Sequence, residues 1–103
     1  PAVIGCNAHV AGKKYAELAR AAGIGGSADT IAIRNLKNGL CRLRRELNLP
    51  ETLLQAGIDP RSVWRQAGEL VEATLKDPCC DTNPMPVEGF LVRRILEEVT
   101  GHV

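Results

Sequence analysis

Aromatic residues are nearly missing from this chain: one Phe, one Trp and one Tyr stand among 103 residues. A core must therefore be assembled from Leu, Ile, Val and Ala, which suits close-packed helices. A single domain of this length buries roughly 60–70% of the surface that its unfolded chain exposes. Charge of one sign is also lacking. The formal net charge is +1, so no bulk field draws the chain to nucleic acid or to an anionic membrane. No apolar run approaches the ~20 residues that a membrane-spanning helix needs. No basic-then-apolar leader opens the sequence, which argues against a secretory signal. The four cysteines, Cys6, Cys41, Cys79 and Cys80, form no Cys-x-x-Cys pair and no regular framework. Reduced thiols in a cytoplasmic protein are then the expectation. Strand-like alternation, internal repeats and low-complexity stretches are absent too.

What is present is helical punctuation. The spacing predicts five helices in one all-α bundle with short connections. The first runs from Ala2 to Ala22, with Tyr15, Leu18, Ala19 and Ala22 on one face and Gly12 weakening its middle. Gly23, Gly25 and Gly26 end it. The second runs from Ala28 to Leu47 behind Ser27 as N-cap. Its apolar stripe is Ile33, Leu36, Leu40, Leu43 and Leu47, with Arg34, Lys37, Arg42, Arg44 and Arg45 outside it. A short third helix is predicted from Glu51 to Ala56. The fourth starts at Asp59-Pro60, a cap followed by Pro at the first helical position, and continues to Lys76. Trp64 heads its apolar face and is expected to be mostly buried against leucines of the second or fifth helix. The fifth helix runs from Val87 to Thr100, and Gly101 ends it.

Between the last two helices lies the run Asp77 to Pro86, Asp-Pro-Cys-Cys-Asp-Thr-Asn-Pro-Met-Pro. Its three prolines and its Asn-Pro step cannot sit inside a helix, because Pro lacks an N–H and restricts the residue before it. An ordered loop carrying two adjacent thiols is the result. Nothing basic lies beside Cys79 and Cys80 to activate them, so one is expected to pack inward while the other faces a cleft. Cys6 and His9 could share a thiolate–imidazole metal site with this pair, but the spacing fits no zinc pattern. A buried cysteine and a surface histidine are the simpler reading, and His102 sits in a tail. The basic cluster Arg34 to Arg45 reads as a solvated face opposite a leucine stripe rather than a recognition helix, since no aromatics interleave. The stretch Gly23 to Ser27 leads into a helix as a phosphate loop does. It lacks Gly-Lys-Ser/Thr and follows no strand, so it is a helix–helix loop.

Several segments resemble, in order, the C-terminal part of the iron-containing (group III) alcohol dehydrogenases. The opening Pro1-Ala2-Val3-Ile4-Gly5-Cys6-Asn7 is similar to the family's Leu-Pro followed by a Val-Met-like pair and Asn. Tyr15-Ala16-Glu17-Leu18-Ala19-Arg20-Ala21-Ala22-Gly23 resembles its Tyr-Ala-Glu-Leu-Ala-Arg-Ala-Leu-Gly helix. Leu49-Pro50, then Leu53 through Gly57-Ile58, resembles its Leu-Pro … Leu-x-x-Leu-Gly-Ile turn. Asp77-Pro78-Cys79 with Thr82-Asn83-Pro84 resembles its Asp-x-Cys … Asn-Pro-Arg loop. No one match is specific; their order across nearly the whole chain is. The chain departs from the family at Met85, where Arg is usual, and at Val87 and Gly89, where the last helix usually has a Thr cap and an acidic first turn.

The resemblance implies a helical portion of the dehydroquinate synthase-like, iron-containing alcohol dehydrogenase fold. Residues 1–103 then form a single helical domain, a fragment of a longer chain. The parent would oxidise primary alcohols or reduce aldehydes with NAD(P) and Fe2+ or Zn2+. Its Asp and three His metal ligands would lie before Pro1, so that His9 is no ligand. The fragment would hold no catalytic residue, metal or cofactor and would be inactive alone. Cys79 and Asn83 would line the substrate cleft of the parent. The implied partner is the rest of the parent chain, and neither nucleic acid nor membrane is expected. Apolar surface left uncovered, above all on the Ala-rich first helix, would drive self-association. The alternative is a stand-alone helical module that binds a protein partner.

Overall fold

The computed structural model describes residues 1–101. It contains five α-helices: α1 Ala2–Ala21, α2 Asp29–Glu46, α3 Pro60–Arg65, α4 Ala67–Leu75 and α5 Gly89–Thr100. A 3-10 turn, Pro78–Thr82, lies between α4 and α5. No strand occurs among the described residues, so the chain is all-α as the sequence predicts. The chain gathers into two compact units, Pro1–Leu49 and a second beginning at Pro50.

The first unit is a helical hairpin. A side chain begun at Gly12 would touch Ile33, and one begun at Gly5 would touch Lys37. As α1 advances its neighbour in α2 recedes, so the two helices run antiparallel. Small residues set their approach. Ala16, Ala19 and Ala32 are fully buried with Leu36, and Ile4, Tyr15 and Ile33 pack on that cluster. The weakness expected at Gly12 appears one residue earlier: Ala11 leaves helical geometry at φ −118°, ψ 16°. Gly26 is needed where it stands, because a Cβ there would lie 2.5 Å from the backbone nitrogen of Ala32.

Two expectations for this unit are corrected. Ser27 is not the cap of α2. Ala28 holds the N-cap position in extended geometry without a side-chain bond. The first turn is served instead by Asp29, whose carboxylate suits the positive end of the helix and accepts from Arg20 at 2.8 Å. The leucine stripe is also only partly buried. Leu36 is 5% exposed, but Leu43 is 51% and Leu47 59% exposed. Helix length explains this. With Gly5 beside Lys37, ten further residues of α2 rise about 15 Å, while α1 as described starts at Ala2, about 5 Å of helix before Gly5. The last turns of α2 therefore outrun α1.

In the second unit the predicted helix Glu51 to Ala56 is a set of turns. Two of its backbone N–H groups are used elsewhere: Leu53 donates to the Val99 carbonyl at 2.8 Å and Leu54 to that of Thr100 at 3.2 Å. The segment thus satisfies carbonyls that the end of α5 leaves without intrahelical donors. The predicted fourth helix is two. Asp59 caps α3 by accepting from the Arg61 N–H at 3.0 Å, with Pro60 at the first position. Gln66 then breaks the helix at φ −106°, ψ 10°, two residues before Gly68. The buried line runs through Val63, Ala67 and Val71, and α4 packs on α5, whose buried residues are Leu91, Val92 and Thr100. Trp64 stands one residue, about 100°, round from that line. It is mostly covered without being fully buried, in keeping with the burial expected of it. The α5 cap is Glu88, not Val87, and it too lacks a side-chain bond. At the other end Gly101 adopts φ 91°, where a Cβ would meet Thr52 Oγ1 at 2.8 Å.

Candidate functional site

The Asp77–Pro86 run is more ordered than a plain loop. Pro78 starts a 3-10 turn in the first-turn position where a missing N–H costs nothing. Asp77 caps it: its carboxylate accepts from the Cys79 N–H at 2.8 Å, and its carbonyl accepts from the Cys80 N–H at 3.0 Å. The Thr82 hydroxyl donates to the Cys79 carbonyl at 3.2 Å. The Asn83 side-chain amide donates to the Met85 carbonyl at 2.9 Å, closing the Asn-Pro-Met turn. The Thr74 carbonyl ties the turn back to α4, accepting from the Asp77 N–H and from the Cys80 thiol, each at 3.0 Å.

These bonds separate the two thiols. Cys80 is half-buried and Cys79 exposed. The hydrogen bond from the Cys79 N–H, followed by one from its side chain, holds the Asp77 carboxyl below its ordinary value. The same carboxylate pushes the Cys79 thiol up, first through the side-chain hydrogen bond and then through its charge. Cys79 is therefore a poorer nucleophile than a free cysteine at neutral pH. The sequence reading noted that nothing activates it; the structure adds a carboxylate that acts the other way.

A cavity of about 430 Å³ opens against this turn, lined by Leu75, Cys80, Asp81, Asn83 and the Pro84–Val87 stretch. Of the two residues assigned to a cleft wall, Asn83 lines this cavity and Cys79 is not among the lining residues. Cys80 and Met85 line it instead. Sequence gave no means of choosing between adjacent cysteines, because which one turns inward depends on the 3-10 winding. A second cavity, of about 290 Å³, lies in the first unit between α1 and α2. Cys6 is half-buried and His9 exposed, both on α1. Among the described residues no group of three or more His, Cys, Asp or Glu is arranged to hold a metal ion. His102 lies outside the described residues. No helix among the described residues is long and apolar enough to cross a membrane.

No family model matches this chain, and no solved structure matches it. Among curated proteins it is similar to the NADPH-dependent butanol dehydrogenase of Clostridium saccharobutylicum, with 24% identity over 97 residues. The match covers 94% of this chain but 25% of the dehydrogenase, so the chain spans about a quarter of that relative's length. A match of this extent points to a distant relationship with an alcohol dehydrogenase.

Proposed function

We propose that the chain is the helical C-terminal part of an iron-containing type of alcohol dehydrogenase. The observation that carries this reading is the similarity to a butanol dehydrogenase along 94% of the chain. In this reading the whole enzyme interconverts primary alcohols and aldehydes with NAD(P) and a divalent metal, Fe2+ or Zn2+. The residues described here do not fit that metal, for want of any cluster of three ligating side chains. Its chemistry belongs to the rest of the enzyme, and no step of it is assigned to this chain.

The contribution of this piece is positioning. The capped 3-10 turn offers a wall braced by Pro78, Pro84 and Pro86, with Asn83 on the cavity side and Cys79 exposed beside it. A cleft wall of this kind shapes which alcohol fits and holds it still, which is where orientation contributes to rate. The exposed apolar side chains Val3, Val10 and Leu18 of α1, and Leu43 and Leu47 of α2, supply surface for the remainder of the enzyme to cover. They equally favour a second reading, a helical module that binds another protein.

The reading frame upstream of Pro1 decides between the two. The longer product should carry a Gly-rich nucleotide loop and an Asp and three His, and should oxidise butanol with NADP once loaded with Fe2+ or Zn2+. The 103-residue chain alone should not. A frame without those elements, or a folded, metal-loaded product with no dehydrogenase activity toward short or long primary alcohols, would remove the dehydrogenase reading.

A further inference from the structure

We propose that the groove between α1 and α2 binds a small phosphomonoester. This site belongs to the first unit alone and is independent of the dehydrogenase reading. On α2, Thr30, Arg34, Lys37 and Asn38 stand at helical spacing on one face, and all line the 290 Å³ cavity. Each carries a hydrogen-bond donor. On α1 the groove is lined only by Gly5 and Ala8, so no long side chain fills it. Gly5 matters most. A Cβ there would come within 3.2 Å of Lys37 Nζ, so the ammonium rests over bare backbone at the edge of the cavity.

Charge decides the ligand class. No carboxylate lines the groove. Elsewhere in the unit Arg20 is paired with Asp29; Arg34 and Lys37 have no ion pair or hydrogen bond among the described residues. Two like charges three residues apart on a helix repel one another, and an anion shared between them removes that cost. A guanidinium, an ammonium and a hydroxyl lining one groove match a group with three acceptor oxygens and a double charge better than a carboxylate with two and one. Ile33, half-buried in the cavity lining, offers an apolar surface to the ester carbon. The volume sits at the small end of the roughly 300–1,000 Å³ usual for ligand pockets, which favours a short ester.

The test is amide NMR of the labelled 103-residue chain titrated with methyl phosphate, with ionic strength held constant by sodium chloride. Saturable shifts should gather on Gly5, Ala8, Thr30, Arg34, Lys37 and Asn38. Arg34→Gln and Lys37→Met should each weaken binding by about tenfold, one power of ten in the dissociation constant, with the far-UV circular dichroism unchanged. Gly5→Ala should weaken it too, by displacing the ammonium. Lowering the pH from about 7.5 to about 5 should weaken binding, because the ester loses its second charge near about pH 6. Shifts no larger than those from chloride alone would overturn the proposal. So would shifts that Arg34→Gln and Lys37→Met leave intact. A response confined to phosphatidic acid vesicles or to a DNA duplex, with none to methyl phosphate, would overturn it as well.

Discussion

Truncating Leu36 to Ala should unfold the first unit ahead of the second. Leu36 is 5% exposed and sits among Ala16, Ala19 and Ala32, all fully buried. Core Leu→Ala changes cost about 2.7–5 kcal/mol, the spread reflecting how far the surroundings collapse into the space left. Two features of this site act in opposite directions. Alanine contacts already bring the helices close, so the backbones have little room to approach further. Tyr15 and Ile33 are only half-buried and can lean in. A cost near the low end, about 3 kcal/mol, follows. The whole unit, Pro1–Leu49, commands only about 2.5–7 kcal/mol at the usual 0.05–0.15 kcal/mol per residue. One truncation therefore removes a large part of its stability. Leu43 is the internal control: the same residue type, on the same helix, 51% exposed. Leu43→Ala should cost no more than about 0.5 kcal/mol, as surface changes do. Urea melts give the two free energies, and hydrogen exchange read by residue reports which unit opens. Equal costs for the two variants, or a Leu36→Ala cost below about 1 kcal/mol, would show that the alanine-lined seam is not the core of the hairpin.

Trp64→Ala should cost about 1–2 kcal/mol, below the roughly 3–5 kcal/mol of a fully buried aromatic, because the ring is half-buried; denaturant melts followed by circular dichroism give the value. Gly26→Ala should be strongly destabilising, since its Cβ would lie 2.5 Å from the Ala32 backbone nitrogen, whereas Gly68→Ala, with no atom nearby, should be neutral or stabilising by the helix propensity gained, up to about 1 kcal/mol. Asp77→Asn should speed alkylation of Cys79 by iodoacetamide at mildly alkaline pH, because removing the carboxylate removes what raises the thiol; an unchanged rate would separate the two groups. The sign for Asp77 itself is the reverse. Its lowered pKa means that the cap contributes fully above the ordinary carboxylate value and is lost as the pH falls below it through the lowered one, so the Cys79 amide should lose protection in acid, its exchange rising relative to that of an unstructured chain at the same pH.

Much of the fold was legible because it depends on local rules. Asp59-Pro60 announced the start of α3 through cap chemistry and a fixed φ, and Gly101 announced the end of α5 through its left-handed backbone. The break between α1 and α2 was announced by Gly23, Gly25 and Gly26, all three of which take positive φ. The errors fall where a neighbour outbid a local preference. Glu51 to Ala56 carries helix-forming residues, yet Leu53 and Leu54 give their N–H groups to the end of α5. Ser27 is a better cap than Ala28, yet Asp29 finds Arg20 across the loop. The candidate site divides in the same way. That Asp77–Pro86 is rigid and carries thiols was readable from its prolines; that Cys80 rather than Cys79 lines the cavity was not.

By itself the sequence determined that this protein is built of helices, where most of them begin and end, and that its core is aliphatic. Those properties come from periodicity, capping and the near absence of aromatics, each acting within a few residues. Only the tertiary structure decided how much of each apolar stripe is covered. Leu36 and Leu43 are the same residue seven positions apart on one helix, and one is buried while the other is half in water. The difference is the length of the helix lying alongside, which no local pattern encodes. The same holds for the groove beside Gly5. Arg34 and Lys37 read as an ordinary solvated face until the pairing of α1 with α2 placed two uncompensated cations over a strip of small residues.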